Sequence, residues 1–115
     1  MIYLASPYSN PDKTIQERRF LEVCRIAGKL IEQGIVVFSP IAHTHPIAEL
    51  YDLGRGWDYW ERFDREFISA SSELVVAMML GWKESKGVTA EIAIANELGI
   101  PVSYLQVEDM CGGKQ

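Results

Sequence analysis

Basic residues are in short supply. The 115-residue chain carries 11 Lys and Arg against 16 Asp and Glu, a formal net charge of -5. A nucleic-acid binder normally concentrates Lys and Arg on one face, so large nucleic acids are not expected partners, although a single phosphate can still bind locally. Cysteine is as scarce. Cys24 and Cys111 lie far apart, and Cys24 falls among the apolar residues of a predicted helix, so no disulfide framework is expected. No apolar run reaches the length of a signal or membrane-spanning segment, and Met1-Ile2-Tyr3-Leu4-Ala5 enters Ser6-Pro7 without a basic leader. The expectation is a soluble cytoplasmic protein with no membrane association. The first apolar segment also lacks a following Gly-x-Gly-x-x-Gly, which argues against a dinucleotide-binding domain.

What is present is a 48% hydrophobic chain, enough to fill one globular core. Ile2 to Ala5 reads as a buried strand ending at Ser6-Pro7. Asn10-Pro11 supplies a helix cap followed by proline at the first helical position, and Phe20, Cys24, Ala27 and Ile31 recur at helical spacing until Gly34. Ile35 to Phe38 is a second strand, again closed by Ser-Pro at Ser39-Pro40. Residues Ile41 to Gly56, rich in His, Pro, Gly and Tyr without a sustained period, read as a long loop serving as a lid or specificity loop. A helix follows from Trp57 to about Ser71, a strand from Leu74 to Met79, a loop from Gly81 to Gly87, a helix from Val88 to Leu98 closed by Gly99, and a strand from Pro101 to Leu105.

This order predicts a single α/β domain over residues 1–107 and a loosely ordered tail over 108–115. Its sheet is open, mainly parallel and doubly wound (Rossmann/flavodoxin-like), with four to five strands and helices on both faces. Ligands of such sheets sit beyond the carboxyl ends of the strands. Functional side chains are therefore expected in Ser6 to Tyr8, Ser39 to His45 and Gly81 to Glu91.

Two acids fall where core residues belong. On a wheel at roughly 100° per residue, Trp57, Trp60, Phe67, Ile68 and Ser71 share an arc with Asp64 near its middle, while Asp58, Arg62, Arg65 and Glu66 point away. A desolvated carboxylate needs partners or a polar cavity. Asp64 is thus either a structural acid bonded to loop backbone or a functional one. Glu91 is in register with Val88, Ala95 and Leu98 and leans toward the sheet, whereas Glu97 faces solvent. Placed in the first helical turn, Glu91 either compensates the helix dipole or is held ionised there as a nucleophile.

Together, Tyr3-Leu4-Ala5-Ser6-Pro7, Asp64 before an apolar strand, and Gly87-Val88-x-x-Glu91 followed by Ala95, Gly99 and Pro101-Val102 resemble the nucleoside 2-deoxyribosyltransferase-like superfamily over nearly the whole chain. Within it, Ser85-x-Gly87-Val88-x-x-Glu91 looks most like the deoxyribonucleoside 5'-monophosphate N-glycosidases. The resemblance implies that Ser85 contacts a phosphate and that Glu91 attacks the anomeric carbon, forming a glycosyl ester that water or a second base resolves. It implies that Tyr3 orients Glu91 and that Asp64 orients the site or protonates the departing base, with its pKa raised by an apolar surround. It also implies a homodimer or larger homo-oligomer, no cofactor, and a small nucleoside or nucleotide as ligand.

The chain departs from that pattern in two places. Pro7 has no amide hydrogen and the first loop has no glycine-rich cradle, so the hydroxyls of Ser6, Ser39 and Ser85, beside Gly87, stand as the phosphate or sugar contacts instead. The loop before the Glu91 helix offers Glu84 and Ser85 where some family transferases have an aspartate.

His43 and His45, at i and i+2, would project to the same side of an extended loop, where substrate contact or loop structure is expected rather than a metal site. Tyr8, Tyr51, Trp57, Tyr59 and Trp60 are candidates for stacking on a base, with Trp57 and Trp60 expected chiefly to pack their helix onto the sheet or a partner. The rival readings are an NAD-glycohydrolase and a non-catalytic nucleotide-sensing module.

Overall fold

The computed structural model describes residues 1–51, 53 and 57–107. The order is β1 (Ile2–Ala5), α1 (Lys13–Glu32), β2 (Val37–Phe38), α2 (Pro40–Tyr51), α3 (Trp57–Ser69), β3 (Glu73–Ala77), α4 (Lys86–Glu97) and β4 (Val102–Leu105). All pairings are parallel, in the strand order β2-β1-β3-β4. An α/β open sheet of the Rossmann/flavodoxin-like kind, here four-stranded, is therefore what the chain forms.

Alternation along the two central strands assigns the faces, because successive side chains of a strand point to opposite sides. Tyr3, Ala5, Leu74 and Val76 pack with Ile68 of α3 and Val88, Ile94 and Ala95 of α4. Leu4 and Ala77 turn the other way, onto Val23, Ile26, Ala27 and Leu30 of α1. Helices thus cover both faces of the sheet, and Tyr3 is committed to the α3/α4 side.

Two helices end in the same local motif, and it sets where the following strands begin. Gly34, at φ +84°, donates to Ile31 while Ile35 donates to Leu30. Gly99, at φ +71°, donates to Asn96 while Ile100 donates to Ala95. A left-handed residue is needed for this closure, and glycine adopts it without strain. Because the amide of Ile35 is used in closing α1, β2 starts at Val37 rather than at Ile35.

Several expected boundaries are corrected. Asp12, not Asn10, caps α1: its side chain accepts from Thr14 N, and the Asn10 carboxamide accepts from Asp12 N at 2.9 Å. The buried stripe of α1 is Val23, Ile26, Ala27 and Leu30, so the register expected from Cys24 and Ile31 is displaced; Ile31 is 60% exposed.

The largest correction concerns the segment expected to be a long loop, since its residues 40–51 form α2. Ser39 caps that helix by accepting from Ala42 N at 3.1 Å, and Pro40 occupies the first position, where a missing N–H costs nothing. Pro46 lies inside the helix and removes one backbone bond, yet burial of His45 and Ala48 holds the segment. Residues 54–56, the end of the expected lid, and the 108–115 tail with Cys111 lie outside the described residues. Among the described residues no helix is long and apolar enough to cross a membrane.

Candidate active site

A cleft of about 660 Å³ opens at the carboxyl ends of β1 and β3, where Ser6, Tyr8, Trp60, Asp64, Ser85 and Glu91 reach its surface. One wall comes from the β1–α1 loop, the start of α1 and α2. The other comes from α3 and the start of α4. At its base the Tyr3 hydroxyl donates to Glu91 Oε2 at 2.6 Å. Asp64 lies beside them, close enough to be electrostatically coupled to both.

Each member of this cluster is placed by its element. Tyr3 projects from β1 to the α3/α4 face by strand alternation. Asp64 lies one turn before the fully buried Ile68, and Glu91 shares the inner face of α4 with Val88, Ile94 and Ala95. The result is that Tyr3, Glu91 and Asp64 are 0%, 5% and 9% exposed.

Burial at that level reshapes the titration of the cluster. Burial, and then the neighbouring Asp64 charge, push the Glu91 carboxyl well above the usual carboxylate range. Asp64 is pushed up to about 6 by burial, against hydrogen bonds from Tyr3 and Glu91 that favour its ionised form. The Tyr3 phenol is raised by burial and by the two acids, so it stays a donor. Two buried carboxyls in contact hold one proton between them, since both cannot ionise cheaply.

The rationale expected for an ionised Glu91 is corrected here. α4 begins at Lys86 and its first turn contains no acidic residue, so Glu91 sits in the second turn, beyond the reach of the dipole argument. What favours a charge on Glu91 is the Tyr3 hydroxyl.

The remaining expected site residues divide. Ser6 is buried with its hydroxyl unpartnered, at the edge of the cleft. Ser85 caps α4, its Oγ accepting from Val88 N at 3.2 Å, and borders the same space together with Gly87. A Cβ at Gly87 would stand 3.8 Å from Ser85 Oγ, an ordinary contact, so the glycine widens the cleft rather than relieving a clash. Ser39 does not join them, because its hydroxyl is engaged in capping α2.

The two histidines part company for a geometric reason. At i and i+2 on a helix they point roughly 200° apart instead of to one side. His43 is exposed and tilts against Phe38 and Phe67, away from the cleft lining. His45 is buried and lines the cleft. Its Nδ1 is 2.6 Å from the Tyr8 hydroxyl, its Nε2 is 3.1 Å from Glu17 Oε1, and Phe20 stacks on its ring at 4.1 Å.

Of the aromatic candidates, Tyr8 and Trp60 line the cleft, while Tyr51 is 73% exposed elsewhere on α2. Tyr59 packs edge-on to Trp60. The side chain of Trp57 lies outside the described residues. Glu97 is exposed as expected and pairs with Arg65 at 3.2 Å. Among the described residues no three His, Cys, Asp or Glu side chains gather as metal ligands.

Sequence reasoning missed the α1 contribution. Lys13 and Gln16 line the cleft and Glu17 and Phe20 touch His45. Their spacing of i, i+3, i+4 and i+7 marks one helical face, and that was the available signal.

The chain belongs to the family described as Domain of unknown function (DUF1937), whose model matches residues 1–107. No curated protein matches the chain.

Proposed function

We propose that this protein cleaves the N-glycosidic bond of a small nucleoside or nucleoside 5'-monophosphate through a covalent glycosyl–Glu91 intermediate, which water or a second base then resolves. The observation that carries the reading is the buried Tyr3–Glu91–Asp64 cluster at the base of a cleft sized for a small ligand.

The chemistry follows from the shared proton. At rest that proton sits on Glu91 beside an ionised Asp64; once it passes to Asp64, with Tyr3 donating to Glu91 Oε2, the Glu91 carboxylate is charged, oriented and poorly hydrated. Cleavage develops positive charge at the anomeric carbon, and a carboxylate in a dry site stabilises that charge before bonding to it. As the C–N bond breaks, the C–O bond to Glu91 forms, and the bonding pair leaves with the base.

Electrostatics at the rim favour a phosphate-bearing substrate. Lys13 and Lys86 border the cleft beside Ser6, Ser85 and the start of α4, and neither lysine makes an ion pair among the described residues. A helix N-terminus with adjacent hydroxyls is a ready anion site. Tyr8 and Trp60 supply faces for the base, each worth about 1–3 kcal/mol if stacked. The reading further holds that the enzyme is cytoplasmic and works as a homodimer or larger assembly.

The test is chromatography of released base after incubation with panels of deoxynucleosides, nucleoside 5'-monophosphates and NAD. Release from one nucleoside or monophosphate class, lost in Glu91→Gln, supports the proposal. Release from NAD alone points to glycohydrolase chemistry. Tight nucleotide binding with no turnover, unchanged in Glu91→Gln, makes the protein a sensor. Adding a second free base separates transfer from hydrolysis, because only transfer yields an exchanged nucleoside.

A further inference from the structure

Two carboxyl groups buried side by side in one cluster cannot stand on opposite sides of a sugar ring. Cleavage through a glycosyl ester needs an acid–base group across the anomeric centre, about 5 Å from the nucleophile. Asp64 is buried beside Glu91 on the α3/α4 wall of the cleft and is coupled to its charge, and so belongs to the nucleophile's side. A proton partner for the departing base and the incoming water has to come from the facing wall.

That wall carries a continuous chain of hydrogen bonds. Tyr8 lines the cleft and its hydroxyl is 2.6 Å from His45 Nδ1. His45 Nε2 is 3.1 Å from Glu17 Oε1, and Glu17 is 55% exposed, in contact with solvent. The imidazole between them is 7% exposed, with Phe20 stacked on one face and Tyr8 edge-on. Both ring nitrogens are engaged, so the ring can pass a proton between its two neighbours without turning.

We propose that Tyr8 is the acid–base residue on the leaving-group side, with His45 and Glu17 as the positioning residues that supply and store its proton; this rests on the glycosyl–Glu91 reading above. The cycle starts with His45 protonated, its Nε2–H paired with the Glu17 carboxylate and its Nδ1–H donated to the Tyr8 oxygen. As the C–N bond breaks and the C–O bond to Glu91 forms, the Tyr8 hydrogen passes to the base nitrogen and the His45 Nδ1 proton passes to Tyr8. Water then attacks the anomeric carbon and displaces Glu91 as a carboxylate. Its proton goes to the Tyr8 oxygen, and the Tyr8 proton returns to Nδ1. The sum is nucleotide plus water giving base plus sugar phosphate, with every protein group restored.

The experiment compares wild type with Tyr8→Phe, His45→Gln and Glu17→Gln on two probes. One is 2'-deoxyadenosine 5'-monophosphate, whose base leaves poorly without a proton. The other is 5-fluoro-2'-deoxyuridine 5'-monophosphate, whose base leaves more readily as an anion. Circular dichroism confirms that each variant is folded.

Tyr8→Phe is expected to lower kcat on the adenine probe by about 10²–10⁴-fold, with KM changed only a few-fold. On the fluorouracil probe it should release one equivalent of base in a burst and then turn over slowly. Azide, a nucleophile that needs no base, should accelerate that slow phase and yield the glycosyl azide. His45→Gln should follow the same pattern, and Glu17→Gln should show it more weakly.

A Tyr8→Phe enzyme that changes only in KM, or that loses both probes equally without burst or azide acceleration, overturns the relay. If the wild type releases base and Tyr8→Phe matches its rate, the relay alone is wrong. A wild type that releases no base from either probe removes the glycosyl–Glu91 reading and the relay with it.

Discussion

The Tyr3 hydroxyl of β1 donates to Glu91 Oε2 of α4 at 2.6 Å beneath the sheet's carboxyl edge, and Asp64 of α3 is buried beside this pair and electrostatically coupled to it. This cluster brings the buried acids of α3 and α4 together, and it dictates how stability and activity respond to pH.

Both acids keep protons in the fold to higher pH than in the unfolded chain, Asp64 to about 6 and Glu91 also raised. The stability linked to this is present in full only at about pH 3 and lower, below the unfolded carboxylate pKa values, and is lost as pH rises through about 6. For Asp64 the change is on the order of 2–3 kcal/mol. Urea unfolding from pH 3 to 8 should show that decline, and Asp64→Asn should flatten it by up to about one proton. An identical slope in the variant would dissociate the acid pair from the pH dependence.

Tyr3→Phe removes one hydroxyl and leaves the ring in its core position. Glu91 then loses its donor, so its charged form is less stable, and the buried acceptor left behind costs about 1–3 kcal/mol. Base release should fall at least tenfold at neutral pH, with the pH dependence of kcat moved upward. Unchanged activity across pH 5–8 would show that Tyr3 does not tune the carboxylate.

Ser6 poses the opposite case, because its buried hydroxyl has no partner in the fold. Such a group costs about 1–3 kcal/mol while unpaired, so Ser6→Ala should leave stability equal or higher by roughly 1 kcal/mol. The same substitution should raise KM for a 5'-monophosphate several-fold. Thermal unfolding and steady-state kinetics check the two halves separately, and a KM equal to the wild type would remove Ser6 from the ligand site.

How much of this was legible in the sequence depended on whether local pattern and tertiary packing agreed. They agreed on the existence of β1, β3 and β4, short apolar runs bounded on at least one side by Ser or Pro, although β3 closes at Ala77, two residues before the expected Met79. They agreed again for Asp64 and Glu91, since an acid at a core register is visible on a helical wheel and both acids are buried.

Pattern failed at α2. Ser39-Pro40 ends a strand and begins a helix at once, and His43, Thr44, His45 and Pro46 give that helix little intrinsic preference. Packing of His45 and Ala48 against the body of the fold overrides it, which no local rule registers. The misread backbone also displaced the histidine argument, because i and i+2 share a side only in an extended chain. The contribution of α1 was hidden for a different reason. Glu17 is an ordinary surface acid until His45 is folded over it.

The central claim is that Glu91 bonds covalently to the sugar, and trapping that bond tests it most directly. The protein would be incubated with a 2'-fluorinated deoxynucleoside 5'-monophosphate, which slows hydrolysis of a glycosyl ester, and then examined by intact-protein and peptide mass spectrometry. The account predicts a mass increase equal to one fluorinated sugar phosphate, located on the peptide containing Glu91 and absent in Glu91→Gln. Steady release of base with no adduct, or an adduct on another residue, would contradict it.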